Sequence, residues 1–327
     1  MVIMAVLIIV LLVFLGINWK TRNTNAYKNF YRAIHVVKDV PKGKKYRIAA
    51  FGSTFAYYAY DLKNYAGHNF SVEPQSIRYM KKTIKHFAGN IEKGGIALIS
   101  LTGCFFAASS TVSDEECLTY QSFLPQDEFD RYNKKTKIKY YLKRYLPALS
   151  LYYVKCNIRD EQLKYSVEEK ISYEQGLRQA SVRIKGWEKV VGKSIADDFD
   201  VDDILKQKID ENVQIMRSIL TDLRKEDIIP VFVVLPMSAA FNEACPKRFY
   251  DAILYKCLER LKDENVLAVD FLYSEEMKEM DYYLTADCLN AKGRKIFTQK
   301  LMNAIRNSQE LLESGFTRME HGNENCR

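Results

Sequence analysis

Four short apolar runs constrain this chain more than anything else in it: Arg47 to Phe51, Ile96 to Leu101, Ile228 to Pro236 and Val266 to Phe271. Runs of this length, apolar at consecutive rather than alternate positions, suit strands buried on both faces, as in a parallel sheet. Between them lie stretches whose apolar residues recur every three or four positions. In the segment after Pro74, Ile77, Met80, Ile84 and Phe87 share one helical face while Arg78, Lys81, Lys82 and Lys85 lie on the other. A longer segment opens at the acidic Asp200-Val201-Asp202-Asp203, which suits the positive end of a helix dipole, and carries a stripe of Leu205, Ile209, Val213, Met216, Ile219, Leu220 and Leu223. Further helices are expected at Tyr250 to Leu261 and from about Ala291, the latter with Ile296, Phe297, Leu301 and Ile305 inward. Gly67 to Val72 reads as a short extended piece. Strand and helix in alternation, joined by right-handed crossovers, predict a three-layer α/β/α sandwich with a mainly parallel sheet of about five strands, flavodoxin-like in outline.

Ahead of this domain, Val2 to Trp19 is almost wholly apolar. A helix of that length just crosses a hydrocarbon core of about 30 Å. No charged flank precedes it and no small-x-small site follows it, so an uncleaved single-pass anchor is expected rather than a signal peptide. Residues 1–19 are thus read as the anchor, 20–45 as a basic juxtamembrane linker, 46–307 as the α/β domain and 308–327 as a polar tail. Lys20, Arg22, Lys28 and Arg32 follow the span, which by the positive-inside rule favours a cytoplasmic domain.

Composition excludes some function classes. The chain is 47% apolar and 28% charged, within the globular range, and its net charge of +8 comes from lysines scattered among carboxylates without a nucleic-acid-binding signature. The seven cysteines, Cys104, Cys117, Cys156, Cys245, Cys257, Cys288 and Cys326, include no CxxC pair and no neighbouring histidine. Neither a disulfide framework nor a metal site is expected, and no Gly-rich phosphate loop follows the first strand, so no cofactor is expected either. His68 and His86 read as solvated or hydrogen-bonded histidines rather than catalytic ones.

The first apolar run ends in Phe51-Gly52-Ser53-Thr54. Gly52 permits a sharp turn, and Ser53 then stands at the carboxyl end of a strand, the edge at which open α/β sheets present reactive groups. Two readings stand for Ser53: a helix N-cap, a common duty of serine, or a presented nucleophile. The second run ends similarly, at Thr102-Gly103-Cys104. Residues 107–200 interrupt the alternation as an insertion at that edge, with a basic aromatic segment from Lys134 to Leu146. That segment reads as an amphipathic helix packed on the domain, as one lying on an anionic membrane surface, or as the lining of a saccharide groove.

Three blocks together, Phe51-Gly52-Ser53-Thr54, Asn69-Phe70-Ser71-Val72-Glu73-Pro74-Gln75-Ser76 and Asp287-Cys288-Leu289-Asn290-Ala291-Lys292-Gly293, resemble those of the SGNH/GDSL hydrolase superfamily. Their order is similar to that of its membrane-anchored members associated with bacterial surface polysaccharides and O-acylation. The resemblance implies Ser53 as nucleophile, with Asn69, Ser71, Gly103 and Asn290 around the oxyanion and substrate. It also implies a histidine base where this chain has Cys288, and a carboxylate where it has Thr285, with Asp287 adjacent but out of phase. The side-chain amide that the family often carries after the third strand is absent, since Gly103-Cys104-Phe105 stands there.

The resemblance thus implies an esterase or O-acyltransferase acting on cell-envelope polysaccharide, with catalysis impaired at Cys288. The alternative is a catalytically inactive relative that binds a saccharide or an assembly partner. Thiolate chemistry at Cys288 is a third idea, with Lys292 and Arg294 as the nearby cations. An extracytoplasmic domain follows from the same resemblance, against the charge rule.

Overall fold

A computed structural model of the chain describes residues 2–24, 27–28, 40–41, 43–72, 75–108, 120–129, 134–150 and 170–308. Cys117, Cys156, Cys326 and the polar tail beyond residue 308 lie outside these. The chain divides into two compact units, residues 42–112 with 167–327, and residues 1–41 with 113–166. Part of the interruption expected at 107–200 therefore belongs to the unit that carries the sheet.

That unit is α/β, built on a five-stranded sheet in which every neighbouring pair is parallel. The strands are β1 (Tyr46–Phe51), β2 (Gly67–Asn69), β3 (Ile91–Leu101), β4 (Ile228–Val234) and β5 (Leu267–Asp270), in the order β2-β1-β3-β4-β5. Ile48 to Phe51 of β1 pairs with Ile96 to Ile99 of β3, and all eight residues are fully buried. This is why the runs of β1, β3 and β4 show no alternation, since both of their faces are covered. The run expected to be buried in β5 is instead an edge strand whose residues alternate between half-buried and exposed, with Ala268 and Asp270 exposed. Pro230 is tolerated in β4 because pairing with β5 begins one residue later, at Val231 opposite Leu267.

The Ile77–Phe87 helix packs on β1 and the Asp203–Lys225 helix on β4, while the Ala291–Arg306 helix lies on β5. Capping fixes where these helices start. Ser76 accepts from the Tyr79 N–H at 3.4 Å, Asp202 from the Leu205 N–H at 2.8 Å and Asn290 from the Gly293 N–H at 2.9 Å. All seven residues of the stripe predicted between Leu205 and Leu223 are buried. The helix expected at Tyr250 to Leu261 is present as one continuous helical run from Lys247 to Glu259, with a π segment at Asp251–Tyr255 between the α turns Lys247–Tyr250 and Lys256–Glu259. A small antiparallel hairpin of β6 (Tyr283–Thr285) and β7 (Cys288–Leu289) precedes the last helix.

The other unit contains the Val2–Arg22 helix, whose 21 residues and mean hydropathy of 2.9 over its most apolar window make it long and apolar enough to cross a membrane. The Lys134–Tyr145 helix and a turn at Pro147–Leu149 accompany it.

Candidate functional site at the carboxyl edge of the sheet

The turn after β1 is forced by crowding. Gly52 has φ of 157°, and a Cβ there would stand 2.6 Å from the Ala56 Cβ and 2.8 Å from the Ser100 Cβ, so only glycine lets β1 run this close to β3 and into the Thr54–Tyr57 helix. Ser53 follows in extended conformation as that helix's N-cap residue, yet its side chain makes no capping hydrogen bond and is partly exposed.

The chain after β2 returns to this turn. The Phe70 N–H donates to the Ala50 carbonyl at 2.8 Å and the Val72 N–H to the Gly52 carbonyl at 3.1 Å, which sets Ser71 beside Gly52 and Ser53. Asn69 has a positioning duty: its amide donates to the Ala56 carbonyl at 2.9 Å, and its oxygen takes the Ser71 N–H at 3.0 Å. The Ser71 N–H is therefore engaged within the protein. The Ser71 hydroxyl is buried and has no hydrogen-bond partner among the described residues.

The hairpin completes the edge. The Thr54–Tyr57 helix packs against Cys288–Leu289, so the first and last blocks meet. Asp287 lies between β6 and β7 with its side chain only 4% exposed, and it is ion-paired with Arg183 through the guanidinium Nε. The Thr285 hydroxyl donates to the other Asp287 oxygen at 2.7 Å. Arg183 also lies over the Phe55 ring, 5.4 Å from its centroid. Burial disfavours the charged guanidinium, but the field and hydrogen bond of Asp287, with smaller contributions from Cys288 and Cys104, outweigh that and raise its pKa.

Arg183 belongs to the Tyr173–Val191 helix, whose buried stripe is Gly176, Ala180, Ile184, Trp187 and Val191. One turn earlier, Gln179 accepts the Ala286 N–H at 3.0 Å, so Gln179 and Arg183 together hold the hairpin turn. Trp187 closes the edge from the same helix, packing near Phe55, Phe241, Phe249 and Tyr250. Gly103 sits beneath it, where a Cβ would be 2.6 Å from Tyr250 and 2.9 Å from Trp187. Cys104 is driven up to about 12 by burial, with Arg183 pulling weakly the other way, so its thiol is neutral at physiological pH. Asn290 caps the last helix and donates to the Asp281 carbonyl at 2.8 Å, a structural duty. Lys292 reaches the Tyr282 ring and Asp281.

Ser53, Ser71 and the Asp287–Cys288 turn thus share one edge, with Gly103–Cys104 linked to them through Trp187 and Arg183. Of the histidines among the described residues, His68 stacks on Tyr46 at the start of β1, and His86 ends the Ile77–Phe87 helix. No cluster of metal-ligating side chains occurs among the described residues. Sequence reasoning did not reach Arg183, Gln179 or Trp187; the only trace of them is their spacing along one helical face.

No protein-family model matches the chain, and no curated protein matches it.

Proposed function

We propose that the sheet-bearing unit is an SGNH-type three-layer sandwich that binds cell-envelope polysaccharide at its carboxyl edge and is impaired as a hydrolase. The observation that carries this reading is the Arg183–Asp287 pair. A serine nucleophile needs a neighbouring base, itself oriented by a carboxylate. Here the carboxylate at the edge is held by Arg183 and Thr285, and a buried thiol, Cys288, occupies the place of the base. What the edge does offer is recognition: a guanidinium whose side chain is 42% exposed, the partly exposed Ser53 hydroxyl and the buried Ser71 hydroxyl. Such groups suit the carboxylates, acyl carbonyls and hydroxyls of a decorated glycan.

The second reading is an active esterase or O-acyltransferase with Ser53 as nucleophile. It is favoured by the Ser53 hydroxyl, which stands at a strand end without serving as a cap. A chromogenic acetyl ester separates the two. The chain as it stands is expected to show no turnover above that of Ser53→Ala, and Cys288→His combined with Thr285→Asp is expected to gain Ser53-dependent activity. A base that contributes about 10²- to 10⁴-fold sets the scale of that gain. Robust Ser53-dependent turnover without those changes would establish the enzyme reading instead.

The same reading places the unit on the outer side of the cytoplasmic membrane. A cysteine introduced at the exposed Lys295, on the Ala291–Arg306 helix, is expected to react with a membrane-impermeant thiol reagent in intact cells. Reaction only after lysis would put the domain in the cytoplasm.

A further inference from the structure

The Lys134–Tyr145 helix is fastened to the end of the apolar Val2–Arg22 helix by side chains from that helix and the turn after it. The Asn18 amide donates to the Tyr145 carbonyl at 3.1 Å, and its oxygen accepts the Ala148 N–H at 3.2 Å. Arg22 donates to the same Tyr145 carbonyl at 2.6 Å, and the Tyr27 hydroxyl to the Arg144 carbonyl at 2.5 Å. A residue such as Asn18, polar and buried at the last turn of an apolar helix, marks where that helix leaves the hydrocarbon. The Lys134–Tyr145 helix is therefore pinned by its carboxyl end at the level of the membrane surface.

Its faces divide accordingly. At about 100° per residue, Tyr141, Tyr145, Ile138 and Leu142 fall within an arc of about 100°, with Lys135 and Lys139 beyond one side and Lys137 and Arg144 beyond the other. Tyr140, nearly opposite the centre of that arc, is buried. Ile138 is 59% exposed, Leu142 40% and, in the following turn, Leu149 57%. These aliphatic side chains and three lysines line a groove of about 330 Å³ formed by Lys135, Ile138, Lys139, Leu142, Lys143 and Leu149.

We infer that this helix is an interfacial element that lies on an anionic bilayer surface beside the span. Ile138, Leu142 and Leu149 enter the acyl boundary, and the flanking lysines reach lipid phosphates. An apolar centre flanked by lysines, with tyrosines at its border, is the pattern of helices that lie in the plane of the interface. Charge complementarity selects anionic lipid, since each lysine near such a surface adds attraction within a Debye length. A glycan would satisfy the tyrosines but would leave the aliphatic side chains against water. The inference rests on the Val2–Arg22 helix residing in a membrane.

The full chain reconstituted in vesicles, with and without Ile138→Trp, tests this. In phosphatidylcholine vesicles containing phosphatidylglycerol, the added indole emission is expected to be quenched by lipids brominated near the headgroup end of the acyl chain and shielded from aqueous iodide. The triple variant Lys135→Glu, Lys139→Glu, Lys143→Glu is expected to lose most of that quenching; unchanged quenching would overturn the anionic assignment. Quenching of the native Trp19 with the added indole open to iodide would overturn the inference while leaving the span in place. Shielding from both iodide and brominated lipid would mean a protein partner or second copy on this face, and would overturn it equally. If neither Trp19 nor the added indole is quenched, the membrane residence of the span fails first.

Discussion

Arg183→Met destabilises the sheet-bearing unit by about 2–3 kcal/mol at neutral pH, and adding Asp287→Asn restores most of that loss. The reason is the asymmetry of the pair. Asp287 is buried, so removing its guanidinium leaves a carboxylate out of water with only the Thr285 hydroxyl on one oxygen. Breaking a fully buried ion pair from one side costs about 3–5 kcal/mol, and the partial exposure of Arg183 reduces the expectation to the lower figure. Asparagine keeps the shape and accepts from Thr285 without a charge, so the double variant tests charge rather than packing. Denaturant titration of the four corners of the cycle checks it, with a coupling of about 1–3 kcal/mol expected between sites that touch. Additive losses would mean that Arg183 and Asp287 contribute independently.

Gly293→Ala is expected to cost more still, about 3 kcal/mol or above, lowering the melting temperature by roughly 6–12 °C for a unit of this size. A Cβ at Gly293 would lie 2.1 Å from the Tyr282 carbonyl oxygen and 2.9 Å from its Cβ. The obstacle is backbone, which has no rotamer to yield, and it is fixed further because the Asn290 N–H donates to that same carbonyl at 2.9 Å. Relief requires the last helix to move away from the hairpin that carries Asp287 and Cys288. Gly186→Ala, on the Tyr173–Val191 helix with nothing near its would-be Cβ, is the matched control and is expected to be neutral or slightly stabilising. Equal melting temperatures for the two variants would contradict the close packing of that hairpin.

The central strands β1, β3 and β4 were legible because their pattern follows from burial on both faces, as in the Ile48 to Phe51 and Ile96 to Ile99 pairing. The Asp203–Lys225 helix was legible because its stripe is made of large apolar residues. The Tyr173–Val191 helix was missed for the opposite reason. Its stripe begins with Gly176 and Ala180, small because a Cβ at Gly176 would come within 2.9 Å of the Ala240 Cβ, and small residues carry almost no hydrophobic periodicity. The β6–β7 hairpin was missed because strands of three and two residues are too short to show a period. At the edge itself, motif order pointed to Ser53, Ser71 and Asp287–Cys288, and these do share one neighbourhood. Arg183 was out of reach, since it meets Asp287 across 104 residues of sequence and only the tertiary fold selects it as the partner. Asn69 and Asn290, read as ligand-facing, spend their side chains on backbone instead, a distinction that a motif does not carry.

Whether Ser53 is an activated nucleophile separates binding from catalysis at this edge most directly. A fluorophosphonate probe, followed by intact mass and peptide mapping of the full chain, reads this without any knowledge of the substrate. No modification of Ser53 is expected in the chain as it stands, because on the proposed reading the edge carries an arginine–aspartate pair and a buried thiol rather than a base. Stoichiometric phosphonylation at Ser53, absent from Ser53→Ala, would contradict it.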